Sequence, residues 1–185
     1  STSVSGTAIS HVDAGLTSTN TVQFRVTDAA GNSGTAASQL VTIDTTAPAQ
    51  TVTIDAISAD SGTVGDFITN DADGLTITAT LSAVLGASEI LEYSSDNGAT
   101  WVDASASVSG TAISHADAGL TGTNTVQFRV TDAAGNSGTA ASQLVTIDAS
   151  APTQTVTIDA ISADSGTAGD FITNDADGLT ITATL

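Results

Sequence analysis

Apolar and polar residues alternate with period two along most of the chain, the signature of half-buried strands. Val52 and Ile54 alternate with Thr51 and Thr53, and Leu75, Ile77, Ala79 and Leu81 alternate with Thr76, Thr78 and Thr80. Val126, Phe128 and Val130 alternate with Gln127, Arg129 and Thr131. Further strands are predicted over Ile90–Ser94, Thr100–Val102, Val108–Ile113 and Gln143–Ile147, with a turn at Asp96-Asn97-Gly98. β-Branched residues dominate these segments, as a pleated, half-buried surface favours. Strands in this number, with turn signals between them, predict an all-β fold of two packed sheets.

The pattern repeats. Ser1–Leu81 realigns onto Ser105–Leu185 at an offset of 104 residues; seven positions differ, so 81 − 7 = 74 are identical. The differences are Thr2/Ala106, Val12/Ala116, Ser18/Gly122, Thr45/Ala149, Thr46/Ser150, Ala49/Thr153 and Val64/Ala168, and none touches an Asp. This period is too long for helical or leucine-rich solenoids. It fits one immunoglobulin-type sandwich of about 100 residues. The expected organisation is therefore tandem Ig-like β-sandwich domains of about seven strands each. Residues 1–44 form the C-terminal part of one repeat, 45–148 a complete repeat, and 149–185 the N-terminal part of the next. Half a sandwich cannot bury its own apolar face, so the partial ends are expected to be completed by further chain. Six residues, Thr45–Gln50, link the repeats. Pro48 fixes its own φ and biases Ala47 towards extended backbone, and so short a linker holds neighbouring domains close.

Charge narrows the function. Twenty acidic residues face two basic ones, a net charge of −18. Such a surface repels nucleic acid and anionic membranes. No small-molecule substrate and no direct membrane contact are expected. The expected partners are the neighbouring identical repeats of the same chain. Eighteen of the acids are Asp, with Glu89 and Glu92 the exceptions. Generic solvation would use Glu as readily. The shorter carboxylate suits tight turns and hard-cation ligands. Cysteine is absent, which excludes disulfides and thiolate metal sites.

The acids are unevenly placed. Chain direction alternates from strand to strand, so Asp60, Asp66, Asp71, Asp73, Asp96, Asp117 and Asp148 are expected at one end of the complete repeat. Asp103, Asp132 and Asn136 are expected at the other, with Asp55 leaning towards the first. The segment from Asp60 to Gly74 holds four carboxylates and Asn70. Two carboxylates 5 Å apart repel by about 3 kcal/mol at an effective dielectric of 20. A bound cation removes that cost, and Ca²⁺ takes six to eight oxygens from carboxylates, amides, backbone carbonyls and water. Ca²⁺ is therefore the expected cofactor. The candidate ligands in the complete repeat are Asp55, Asp60, Asp66, Asn70, Asp71, Asp73, Asp117, Asp132, Asn136 and Asp148. Their counterparts in the partial repeats are Asp13, Asp28, Asn32 and Asp44, and Asp159, Asp164, Asp170, Asp175 and Asp177. Asp132 and Asn136 are expected to face Asp44, Asp13 and the preceding domain, with Ca²⁺ bridging the junction. A lone Asp in such a loop has the alternative of a simple Asx-turn.

Other residues carry less. Ser114-His115-Ala116-Asp117 contains triad residue types, but sequence neighbours seldom adopt triad geometry, and no enzyme is expected. His11 and His115 are placed in equivalent loops. Arg25 and Arg129 are expected to pair locally with an Asp, and Tyr93 and Trp101 to pack in the core. The Thr rows raise direct ice binding as an alternative, although sandwich sheets twist and outward Thr is ordinary in strands.

Three motifs, Asp44-Thr-Thr-Ala-Pro48, Asp66-Phe-Ile-Thr-Asn70-Asp71 and Val130-Thr-Asp132-Ala-Ala-Gly-Asn136, resemble the repeat signatures of bacterial Ig-like domains in giant RTX adhesins. The near-invariant 104-residue period is most similar to the extender repeats of ice-binding members of that group. The resemblance covers the whole chain. It implies a calcium-rigidified extender that holds a distal ligand-binding region away from a bacterial cell surface, in an extracellular setting. The alternative is a module that contacts ice or glycan directly. The matching motifs carry the ligand expectation to Asp44, Asp66, Asn70, Asp71, Asp132 and Asn136.

Overall fold

The computed structural model describes residues 2–185. They fall into a first unit ending at Ala149 and a second, Ser150–Leu185. The first unit begins with two antiparallel hairpins, β1 (Thr2–Ser5) with β2 (Ala8–His11), and β3 (Asn20–Phe24) with β4 (Ala37–Val41). Nine strands follow: β5 (Val52–Ile57), β6 (Ile68–Thr69), β7 (Leu75–Leu81), β8 (Ile90–Ser94), β9 (Val102–Asp103), β10 (Val108–Ser109), β11 (Ala112–Asp117), β12 (Asn124–Thr131) and β13 (Ala141–Ile147). A 3₁₀ turn, Ser105–Ser107, precedes β10. The second unit pairs β14 (Thr157–Ile161) with β15 (Ile181–Thr184).

The nine strands form a sandwich. One sheet has the order β10-β11-β7-β5 and the other β6-β13-β12-β8-β9. Every pairing is antiparallel except β13 with β6. Alternation sets which residues enter the core. On β7, Leu75, Ile77, Ala79 and Leu81 are buried while Thr78 and Thr80 are exposed. On β12, Val126, Phe128 and Val130 are fully buried, and they meet Ile77, Leu91, Tyr93 and Val145 in one cluster. The registers confirm the expected polarity. Asp117 lies opposite Leu75 at the entry to β7, and Thr131 lies opposite Ile90 at the start of β8.

Three expectations change. Strand β6 falls inside the segment read as an acidic loop, where only two residues pair; so short a strand has no periodicity to read. The strand expected over Val108–Ile113 is broken by the turn at Gly110 and then runs on to Asp117. His115 and Asp117 therefore lie on a strand, opposite Ile77 and Leu75, because β7 offers six consecutive partners. The strand expected at Thr100–Val102 emerges at Val102–Asp103, hydrogen-bonded beside β8.

Near-identical sequence outside the sandwich separates local from tertiary effects. β3 and β4 reproduce the pairing of β12 and β13, with Val22 opposite Gln39 as Val126 is opposite Gln143. Phe24, however, is 46% exposed where Phe128 is fully buried. Turn chemistry and strand propensity make the hairpin; the opposite sheet makes the core.

Candidate functional site

The acidic segment leaves β5 at Ser58 and returns at Leu75. Its backbone is fixed by short-range bonds. The Thr69 hydroxyl donates to the Ala59 carbonyl at 2.6 Å and accepts from the Asp71 amide at 3.0 Å. The Ser61 hydroxyl accepts from the Asn70 amide, Asp66 Oδ1 from Ile68 and Asp71 Oδ1 from Asp73. Strand β6 ties the segment to β13: Thr146 N donates to the Phe67 carbonyl and Asp148 N to the Thr69 carbonyl, both at 2.9 Å. The exit of β13 at Asp148 is thereby brought against the loop. Phe67, at φ 61°, takes a left-handed conformation uncommon outside glycine, and its side chain is buried.

Asp60 stands apart within this loop. Its Oδ2 accepts the Gly65 amide at 2.6 Å, while its Oδ1 is shielded from solvent and accepts no hydrogen bond. Asp164 repeats both features, with Oδ2 on the Gly169 amide at 2.6 Å and a shielded, unpartnered Oδ1. A buried carboxylate oxygen without a partner is unfavourable, and an ion or ordered water is the usual explanation. Asp170, Asp175 and Asp177 repeat the geometry of Asp66, Asp71 and Asp73, and Asp159 accepts the Thr184 hydroxyl as Asp55 accepts Thr80. The loop conformation is local, since it forms in both units. Asp55 itself sits at a bulge between Ile54 and Ala56.

At the opposite end, Asp132 closes a tight turn. Its Oδ1 accepts the Ala134 and Asn136 amides, and its Oδ2 accepts the Asn136 side-chain amide at 2.9 Å. That side-chain bond, with the backbone ones, holds the Asp132 carboxyl below its ordinary pKa. Asp28 and Asn32 repeat the turn and the shift. Asn136 also donates to the Asp44 backbone carbonyl at 3.1 Å. The linker passes close by, and a Cβ on Gly138 would lie 3.0 Å from the Pro48 carbonyl oxygen. Asp44, Asp132 and Glu89 line a common groove there. Glu89 accepts Gln50 Nε2 at 2.5 Å and the Gly86 amide at 2.7 Å. Sequence reading missed Glu89; its rarity in an Asp-rich chain was the available signal. Asp13 lines a separate hollow with His11, Leu16 and Phe24, while its Oδ1 accepts Gly15 N.

The remaining acids serve turns. Asp96 accepts the Thr100 hydroxyl at 2.6 Å, the Thr100 amide and the Ser94 hydroxyl, and its pKa falls to about 2. Asp103 accepts Ser105 N and is likewise lowered. Asp117 accepts Gly119 N and the Tyr93 hydroxyl at 3.0 Å. The His115 ring packs at a tilt against Tyr93, centroids 4.2 Å apart, and bonds Ser107 through Nδ1; burial lowers its pKa, with Asp117 opposing. Arg129 pairs with Glu92 at 2.7 Å rather than with an Asp, and its guanidinium stacks 4.0 Å above Trp101. Trp101 is thus a half-buried flank of the sandwich and not a core residue. Among the described residues, no three His, Cys, Asp or Glu side chains are gathered into a metal shell.

A two-sheet Greek-key-like sandwich whose ends are capped by Asp turns defines an Ig-like structural module. The bacterial Ig-like domain profile matches residues 46–149, and a second bacterial Ig-like profile matches residues 9–45. The chain belongs to the bacterial Ig-like domain family. Domains of this kind are in general non-catalytic surface or adhesion modules. No curated protein matches the chain. Among the described residues, no helix is long and apolar enough to cross a membrane.

Proposed function

We propose that the chain is a segment of a calcium-rigidified extender in a bacterial surface adhesin, akin to the extender repeats of ice-binding RTX adhesins. The observation that carries the calcium is the shielded, unpartnered Oδ1 of Asp60, repeated at Asp164. Few side-chain acids converge, but Ca²⁺ draws on carbonyls, amides and water as well. Asp60 would anchor the ion, with Asp66, Asn70, Asp71 and Asp73 of the same loop as further donors. Asp44, Glu89, Asp132 and Asn136 would form the junction site. A bound divalent cation supplies charge neutralisation and cross-linking of loop to strand, and no reaction. The near identity of the repeats supports the spacer: added length is useful without any unique site. Small-angle scattering of the chain in calcium and in chelator tests the role. The extender predicts a longer, narrower distance distribution in calcium; identical distributions contradict it.

A further inference from the structure

The sandwich of the complete repeat has four terminal strands, β10 and β5 on one sheet and β6 and β9 on the other. A terminal strand offers unpaired N–H and C=O groups to any extended chain that approaches it. Three of the four are two residues long, too short to template a partner. The fourth, β5, has six residues, and its run is broken by the bulge between Ile54 and Ala56. Asp55 sits at that bulge, outside the pairing register and exposed, with its carboxylate held by the Thr80 hydroxyl at 2.7 Å. One stretch of edge is longer. Strand β6 covers only Thr146 and Ile147 of β13, so residues 141–145 run with no strand on their outer side. The Thr146 and Asp148 amides point to that side, where they donate to Phe67 and Thr69, while the Ile147 amide points the other way, to Thr123. Backbone groups alternate along a strand, so the Leu144 carbonyl faces the open side as well. The Gln143 side-chain amide donates to that carbonyl at 2.9 Å. Gln143 stands where the alternation places a core residue: it lies opposite buried Val126 and shares its phase with Ala141 and Val145. Its polar end folds back over the edge instead. Gln39 makes the same bond to the Leu40 carbonyl at 3.0 Å, so the cap is written locally in the sequence.

We infer that Asp55 and Gln143 keep a second copy of this chain from adding a strand to the sandwich at β5 and β13. Copies of a near-identical repeat carry matching strands, so an open edge would find a partner in any copy that came alongside. A net charge of −18 holds copies apart only until salt or bound cations screen it. The edge residues act at contact and need no long-range field. A strand arriving at β13 must displace the Gln143 amide from the Leu144 carbonyl. One arriving at β5 must strip water from the Asp55 carboxylate and follow the bulge. The device is independent of whether calcium occupies the acidic loop.

Sedimentation velocity of the 185-residue chain tests this, with calcium present and in about 1 M sodium chloride, where the screening length falls to about 3 Å. Gln143→Val and Asp55→Thr should each at least double the weight-average mass found for wild type at the same concentration. Unchanged Trp101 emission shows that the complete repeat is folded in each. Gln127→Val makes the same swap on β12, which has a strand on both sides, and should leave the mass at the wild-type value. Leu144→Pro removes the amide that faces the open side, as an edge strand tolerates. Added to Gln143→Val, it should return the mass to that of wild type. Wild-type mass in both Gln143→Val and Asp55→Thr overturns the inference. So does growth in Gln127→Val equal to that in Gln143→Val, or growth that Leu144→Pro leaves untouched.

Discussion

The side-chain amide of Asn136 reaches 92 residues back along the chain to the backbone carbonyl of Asp44. That one bond connects the turn after β12 to the last residue before the linker. Asn136 is itself held by Asp132, so the contact is prepositioned and spends little side-chain entropy. Replacing Asn136 with Ala removes the bond and loosens the turn. A spin-label pair at positions 40 and 100 should show a broader distance distribution in Asn136→Ala than in wild type. An unchanged width would mean the linker alone sets the junction.

The two copies of one phenylalanine give an internal control. Phe128→Ala should cost about 3–5 kcal/mol, the usual cost of emptying an aromatic site in a core. Phe24→Ala should cost under about 1 kcal/mol in dilute solution, because its site is already half open. Urea denaturation of both variants, followed by Trp101 fluorescence, checks the ratio.

Gly74 and Gly178 give a second such pair. Both have positive φ, at 95° and 102°. A Cβ on Gly74 would lie 2.6 Å from Ala118 Cα, whereas one on Gly178 would meet nothing within 4 Å. Gly178→Ala should therefore show only the left-handed backbone cost, about 1 kcal/mol. Gly74→Ala should lose more, because backbone must move, and its melting temperature should fall further than that of Gly178→Ala.

Acid should destabilise the sandwich in two steps. The folded pKa of His115 is lowered, so the unfolded chain binds the proton more readily. Stability is full above the unfolded value near 6.5 and declines as pH falls through the lower folded value. Asp96 is lowered from 3.8 to about 2, so its contribution is present above 3.8 and disappears as pH falls towards about 2. His115→Gln should remove the first step and leave the second. Denaturation midpoints measured from pH 8 to about pH 2 would reveal both.

Much of the fold was legible because one face of each strand is buried, and burial writes a period of two into the sequence. Leu75–Leu81 and Val126–Val130 are the clearest cases. Strand β6 was not legible, since its pairing depends on β13, some 78 residues away. Nor was the strand position of His115, which follows from the length of β7. Of the candidate ligands, the sequence grouped Asp60 with Asp66, Asp71 and Asp73. It could not distinguish them, because what sets Asp60 apart is the burial of one oxygen atom. Asp96 and Asp103 are satisfied within turns, and Asp117 by Gly119 and the Tyr93 hydroxyl of the other sheet, which only the fold reveals.

The central claim is that Ca²⁺ neutralises the acidic loop and rigidifies the sandwich, and thermal melting of the chain in excess calcium and in chelator tests it most directly. At ten times the dissociation constant each site adds about 1.4 kcal/mol. For a sandwich of this size, that shifts the melting temperature by about 6–11 °C per site. The account predicts a rise of at least that size in calcium, reduced in Asp60→Ala. A melting temperature that is the same in calcium and in chelator would contradict it.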